Sequence, residues 1–304
     1  MIRFSLKVVT LMVSLLVFTI AVFSIYHFFS SAPLEYFLVR IHSFNPQAAP
    51  SVADQRLLLK QWGLTGSFSK QVCDFLIGMS HGSLGESLWT GTPVLTLLKE
   101  RSRATLSYGI FSFLLFVPLG IFWGMGQSLW DKKWPGRILT IAADFLFCLP
   151  SFSLATFFIF STSLFVFWIP PSLVYLAATV PYLASLIQQR LAQEEREPYA
   201  KAVIAKGLSR RQFYLRHLSR PCLEVTVSIL PLWWGLFFGA SLVVEPIFRI
   251  QGLGFLAVEA FRNQDLPILI GITLVIGGGR IILSNLRELA LLLFFPSRKY
   301  GHST

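Results

Sequence analysis

From Phe145 to Gln189 the chain runs 45 residues without a formal charge. A helix crosses the ~30 Å hydrocarbon core of a bilayer with about 20 mostly apolar residues, so this run is too long for one crossing. Backbone polar groups have no water to bond with in lipid, which leaves closed barrels and helices as spanning structures. Uncharged runs of this length are read as membrane-crossing helices. The chain is therefore read as an all-α integral membrane protein.

Four further features complete the set of spans. Val8–Leu34 is uncharged over 27 residues behind Arg3 and Lys7. That length exceeds the roughly 7–15 apolar residues of a cleaved signal peptide, although Ser30-Ser31-Ala32 offers a small-residue site. Ala104–Trp130 is uncharged over another 27 residues, with Pro118 inside, and Val225–Val244 over 20 between Glu224 and Glu245. The last span starts at Leu266 and runs past Arg280 toward Leu286. Ile169-Pro170-Pro171-Ser172 breaks the long run, since consecutive prolines cannot continue a helix. Its halves are Ile138–Phe165 and Ser172–Gln189, which makes six spans.

The charges then orient the chain. Only 13% of the 304 residues are charged, yet 26 Lys and Arg face 15 Asp and Glu. With the N-terminus inside, 15 of those 26 fall in four short cytoplasmic segments, eight of them between Arg190 and Arg220. The two short outer loops hold only Arg249 and Arg262, and the first outer loop is too long to count. Both termini are thus expected in the cytoplasm. The organisation is an N-terminal membrane helix (1–34), an extracytoplasmic loop region (35–103) and a five-helix core (104–304) with a polar loop over 190–223.

That loop has readable local chemistry. Glu197-Pro198 suits a helix start, because proline fits the first turn and acids favour the positive end of the dipole. Gly207 fits a left-handed C-terminal cap, and Ser209 with Gln212 forms a capping box for a second short helix ending at Pro221.

With those elements in place, Tyr199-Ala200-Lys201-Ala202-Val203-Ile204-Ala205-Lys206-Gly207-Leu208-Ser209, followed by Arg216-His217, resembles the EAA loop of ABC importer permeases. More narrowly it resembles the B-type subunit of the dipeptide/oligopeptide/nickel family. The likeness extends through Gly82-Ser83-Leu84-Gly85-Glu86-Ser87, Gly91-Thr92-Pro93-Val94 and Leu149-Pro150-Ser151-Phe152. It continues through Val243-Val244-Glu245, Gly252-Leu253-Gly254, Asp265-Leu266-Pro267 and the ending Phe295–Tyr300. Departures are Pro198 for an acid, Val203 for an alanine, Glu224 for a proline, no Gly-Asp-Pro at Ala32–Glu35, and a short turn at Ile169–Ser172.

The resemblance implies a permease that carries short peptides delivered by an external binding protein. It implies a second permease subunit and two cytoplasmic ATPases as partners. The coupling residues would be Tyr199, Ala202, Ala205, Lys206, Gly207, Leu208 and Ser209. Nearby Lys201, Arg210 and Arg211 would meet an acidic rim or anionic lipid headgroups. An ion-driven secondary transporter is the alternative, but neither internal repeats nor paired broken helices stand out.

Three charged residues at the spans carry open readings. Asp144 is either a pathway carboxylate or a hydrated group near the cytoplasmic end, seven residues after Arg137. Arg280 snorkels, pairs with a carboxylate or faces the path, while Gly277-Gly278-Gly279 beside it permits a close helix or a bend. Glu245 gates the path, touches a binding protein or is a solvated helix end. No catalytic residue, metal, cofactor or nucleic-acid partner is expected, for no GxxxxGK[ST] or HExxH pattern occurs and the three cysteines lie far apart. Gly239-Ala240-Ser241 is too weak a serine context for an intramembrane hydrolase. The aromatic residues are expected to pack or face lipid, with Trp130, Trp134 and Trp168 at the membrane boundaries.

Overall fold

The computed structural model describes residues 2–28, 67–161, 169–207, 209, 212–214 and 219–294. The end of the first predicted span, Ala32–Glu35, Trp168, Leu208, Arg210, Arg211, Arg216, His217 and the ending at 295–300 lie outside these. Among the described residues the structure is almost wholly helical: α1 (Ile2–Phe28), α2 (Phe68–Ser80), α3 (Val94–Leu129), α4 (Trp134–Cys148), α5 (Ser151–Ser161), α6 (Ile169–Glu194), α7 (Pro198–Ala205), α8 (Ser219–Phe248), α9 (Leu253–Asn263) and α10 (Leu266–Phe294). Five of these are long and apolar enough to cross a membrane, and six spans result when α4 and α5 are taken as one.

The third span is not the continuous helix that Ile138–Phe165 implied. α4 and α5 meet at an angle of 93°. Pro150 is the cause: it disfavours helical backbone at the residue before it, and Leu149 accordingly turns extended, with φ −73° and ψ 125°. The chain re-enters a helix at once, with Ser153 and Leu154 donating to Pro150 O at 3.0 and 3.2 Å. The prolines at 170 and 171 mark the start of the next span, falling in the first turn of α6, where missing N–H groups cost least. Pro221 likewise stands in the first turn of α8 instead of ending the helix before it. α3 begins ten residues ahead of the uncharged run, taking in Lys99, Glu100, Arg101 and Arg103. At about 1.5 Å per residue its 36 residues reach about 54 Å, so its first turns stand outside the hydrocarbon.

The chain forms two compact units, Met1–Thr105 with Ile250–Ile281, and Leu106–Arg249 with Ile282–Thr304. In the first, α1 packs on α2 through Phe23 and Phe75, ring centroids 5.1 Å apart. The triple glycine resolves as close approach: a Cβ on Gly277 would lie 2.0 Å from the Phe18 ring of α1. The second unit is built around α6, which packs against α4, α5 and α8. At Gly124 of α3 a Cβ would lie 2.6 Å from the Ala184 carbonyl oxygen, so only glycine admits α6 this closely.

Candidate functional site

Within the polar loop, the described residues form α7 and the turn after it. Lys206 N–H bonds Ala202 O at 3.2 Å, and Gly207 then takes φ +90°, where a side chain is strained. No atom lies within 4 Å of a Cβ built there, so backbone conformation alone requires the glycine. Ser209 N–H donates to Gln212 Oε1 at 3.1 Å, and Gln212 N–H returns the bond to Ser209 Oγ at 3.3 Å. This reciprocal pair is the capping box, and 212–214 are helical behind it.

The loop has an inner and an outer side. Ala200, Phe213 and Tyr214 are fully buried, whereas Lys201, Ala202, Ala205, Lys206, Gly207 and Ser209 are exposed. Ala202, Ala205 and Gly207 therefore face outward, and Ala200, Phe213 and Tyr214 inward. Two tyrosine hydroxyls fasten this arrangement to the end of α6: Tyr199 donates to Glu194, and Tyr214 donates to Glu195 Oε1 at 2.6 Å. Burial, reinforced by the Glu194 carboxylate, pushes the Tyr199 phenol above its ordinary range, so it remains a donor. Arg190 extends the chain of contacts, reaching Glu194 at 2.7 Å on its own helix and Glu224 on α8 at 3.5 Å. The loop is thus tied to α6, and α6 to α8, through charged hydrogen bonds.

Between α6 and α8 a cleft of about 360 Å³ opens next to this clip. Gln189, Arg190, Gln193, Glu224 and Ser228 line its polar end, and Tyr182, Leu186 and Ile229 its apolar wall. Sequence reasoning missed the roles of Tyr214, Glu194 and Glu195, whose pairing spans 19 residues across a turn. Glu224 stood out only as a departure from the resemblance.

The charged residues of the spans fall apart from one another in role. Glu245 is fully buried and accepts a hydrogen bond from Tyr108 of α3, so it is not a solvated helix end. The Tyr108 ring stacks on Tyr175 of α6 at 5.5 Å, and Tyr175 meets Phe237 of α8 at 4.8 Å. Asp144 is exposed on α4, and Arg280 is exposed on α10. Neither has an ion-pair partner among the described residues. Ser241 Oγ bonds Phe238 O at 2.7 Å within its own helix, which is the behaviour of a packing serine. Trp233, Phe237 and Phe238 are buried in the packing, while Phe122, Phe157 and Phe160 face outward.

In the first unit, motifs far apart in sequence meet. Ser87 Oγ donates to Asp265 Oδ2 at 2.5 Å, and Trp89 Nε1 donates to Asn263 O at 2.6 Å. Thr105 Oγ1 accepts from Leu253 N–H at 2.8 Å. The turn over 85–94 is closed by Ser87 N to Thr92 O and Val94 N to Gly85 O, at 2.9 and 3.0 Å. The segment before the second span and the segment before the sixth are therefore two sides of one fixture.

The described residues thus give helices of membrane-crossing length and a polar loop tied by hydrogen bonds to the end of α6, as expected of a membrane transport component. Comparison with known proteins agrees. Residues 116–296 match the family described as binding-protein-dependent transport system inner membrane component. A probable peptide ABC transporter permease protein of Sinorhizobium fredii, y4tP, is 22% identical over 290 residues, covering 87% of this chain and 93% of its own length. The glutathione transport system permease protein GsiC of Shigella flexneri is 28% identical over 238 residues, covering 74% of this chain and 77% of that protein. GsiC of Escherichia coli K12 matches to the same extent. The chain belongs to the binding-protein-dependent transport system inner membrane component family. It is a multi-pass inner-membrane permease subunit of an ATP-binding-cassette importer and not itself the ATPase.

Proposed function

We propose that this permease forms part of the path for short peptides handed over by an external binding protein, and that it works beside a second permease subunit on two ATPases. Peptide and glutathione permeases among its relatives support the substrate class. Both termini lie in the cytoplasm by the distribution of Lys and Arg, which puts the α7 loop on the ATPase side.

The observation that carries the coupling role is the two-sided loop. Its exposed small residues, Ala202, Ala205 and Gly207, let a partner's surface approach the backbone closely. Its buried aromatic side and the Tyr199–Glu194 and Tyr214–Glu195 bonds make the loop move with α6. The Arg190–Glu224 contact passes that motion to α8, so ATP-driven closure of the ATPases shifts two spans that border the cleft. At the other end of α8, Glu245 and Tyr108 act as a latch that holds α3 and α8 together when the outer side is closed. Arg280 is assigned to the protein's outer surface, facing a partner or the path.

Gly207→Asp tests the reading. The residue is exposed and touches nothing, so the variant inserts normally, but a charged side chain on strained backbone disrupts docking. Loss of ATPase copurification together with loss of peptide uptake is expected. Unchanged uptake would overturn the coupling role.

A further inference from the structure

Asp144 breaks three local rules at once. It is a carboxylate at membrane depth, in the last turns of a helix whose C-terminal end is already negative, and it has no partner among the described residues. Its depth follows from two counts. Asp144 is ten residues beyond Trp134, the first residue of α4, or about 15 Å at 1.5 Å per residue. Phe147, one turn further on, stacks on Tyr182 at 5.5 Å, and Tyr182 stands near the middle of α6. Both counts set the carboxylate close to the centre of a ~30 Å core.

The break that follows adds to the negative field. A helix end leaves its last carbonyls open, and here Pro150 has no N–H to offer them. Leu149 N–H closes one, on Leu146 O at 3.2 Å. A broken span in a transporter is tolerated where it borders protein or a watery path, since lipid cannot solvate open carbonyls. A carboxylate beside the carbonyl end of a half-helix is a combination that attracts a cation and repels an anion. Positions that violate local rules are also where function is to be sought.

Resting on the peptide-permease reading above, we propose that Asp144 and the carbonyl end of α4 form a mid-membrane site for the primary ammonium group of the transported peptide. The ammonium donates to the carboxylate and to open carbonyls of the last α4 turn. Arg190 does not compete for the carboxylate, since it bonds Glu194 and Glu224 instead. The site is transient by design: one charge contact is enough to favour free-amine peptides without trapping them.

The test uses the complete complex reconstituted in proteoliposomes with its binding protein and ATP. Uptake is measured by mass spectrometry on an equimolar mixture of short peptides, each as free amine and as its N-acetyl derivative. The binding protein is the same throughout, so comparing the free-to-acetylated ratio between wild type and variant isolates the permease. Asp144→Asn is expected to lower that ratio about tenfold, the scale of one shielded charge contact. Asp144→Glu, which keeps the charge, is expected to restore most of it. An unchanged ratio, or equal loss for both peptide forms, overturns the site. Loss of the second permease from purified Asp144→Asn complex, with Asp144→Glu assembling normally, also overturns it by assigning the carboxylate to a basic partner residue. Wild-type complex that imports neither peptide set refutes the substrate reading itself, and this inference with it.

Discussion

Tyr214→Phe isolates the contact that makes the loop move with the membrane helices. The ring remains, so the packing of Phe213 and Tyr214 at 6.2 Å is preserved and only the hydroxyl is lost. A hydrogen bond to a charged group contributes about 1.5–3 kcal/mol. Glu195 is half-exposed and water can replace the phenol there, which puts the loss at the lower end, about 1.5 kcal/mol. That is about a tenfold fall in the ratio of held to released loop, since 1.4 kcal/mol is a factor of about ten. Tyr199→Phe should cost less. Its residue is 43% exposed, and Glu194 keeps its 2.7 Å contact with Arg190, so about 0.5 kcal/mol and about twofold are expected. Hydrogen exchange of the 198–207 amides in nanodiscs reads the opening directly: about tenfold faster in Tyr214→Phe, about twofold in Tyr199→Phe. In the reconstituted importer, ATP consumed per peptide imported should rise in the same order. Exchange and coupling within twofold of wild type in Tyr214→Phe would refute the anchoring argument, as would a larger effect from Tyr199→Phe.

Two other predictions concern packing and pH. Gly124→Ala places a Cβ 2.6 Å from a backbone oxygen that cannot rotate away, so α3 and α6 must separate. A loss of about 1–3 kcal/mol is expected, seen as a lower melting temperature of the purified complex in detergent, while a neutral result would refute the tight contact. Asp265 lies just outside the sixth span, and burial raises its pKa despite the opposing hydrogen bonds from Ser87 and nearby amides. A raised folded-state pKa means stability fully present below the unfolded carboxylate value and lost as pH rises through the folded one. The 85–94 turn and α9 should therefore be held more firmly at acidic external pH. Exchange of these amides, corrected for intrinsic rates, should slow from pH 7 toward pH 4.5, and Asp265→Asn should abolish that dependence.

Legibility in the sequence followed the range of the interaction. The capping box of Ser209 and Gln212 and the positive φ of Gly207 were readable because each rests on a few adjacent residues. The apolar lengths of the spans were readable for a similar reason, since bilayer thickness sets them without reference to neighbours. Pro150 was visible but its consequence was not, because the paired prolines at 170 and 171 already divided the long uncharged run. The pair marks the start of α6, where proline fits, and Pro150 adds a second break inside the span before it. Tyr214, Glu194 and Glu195 carried no signal as a group, for tyrosines and acids are unremarkable in a polar loop until a turn brings them together.

By itself the sequence determined that the chain is a helical membrane protein, where its basic residues concentrate, and how the glycine and the capping box of the polar loop are built. These follow from lipid solvation and local backbone chemistry, which act along a helix or within a turn. Only the tertiary structure decided that Glu245 is buried against Tyr108, 137 residues away, and that Ser87 meets Asp265 across 178. It alone showed Asp144 to be exposed beside a broken helix. The physical reason is that burial and partnership are properties of packed helix faces, and which faces meet depends on every helix in the bundle at once.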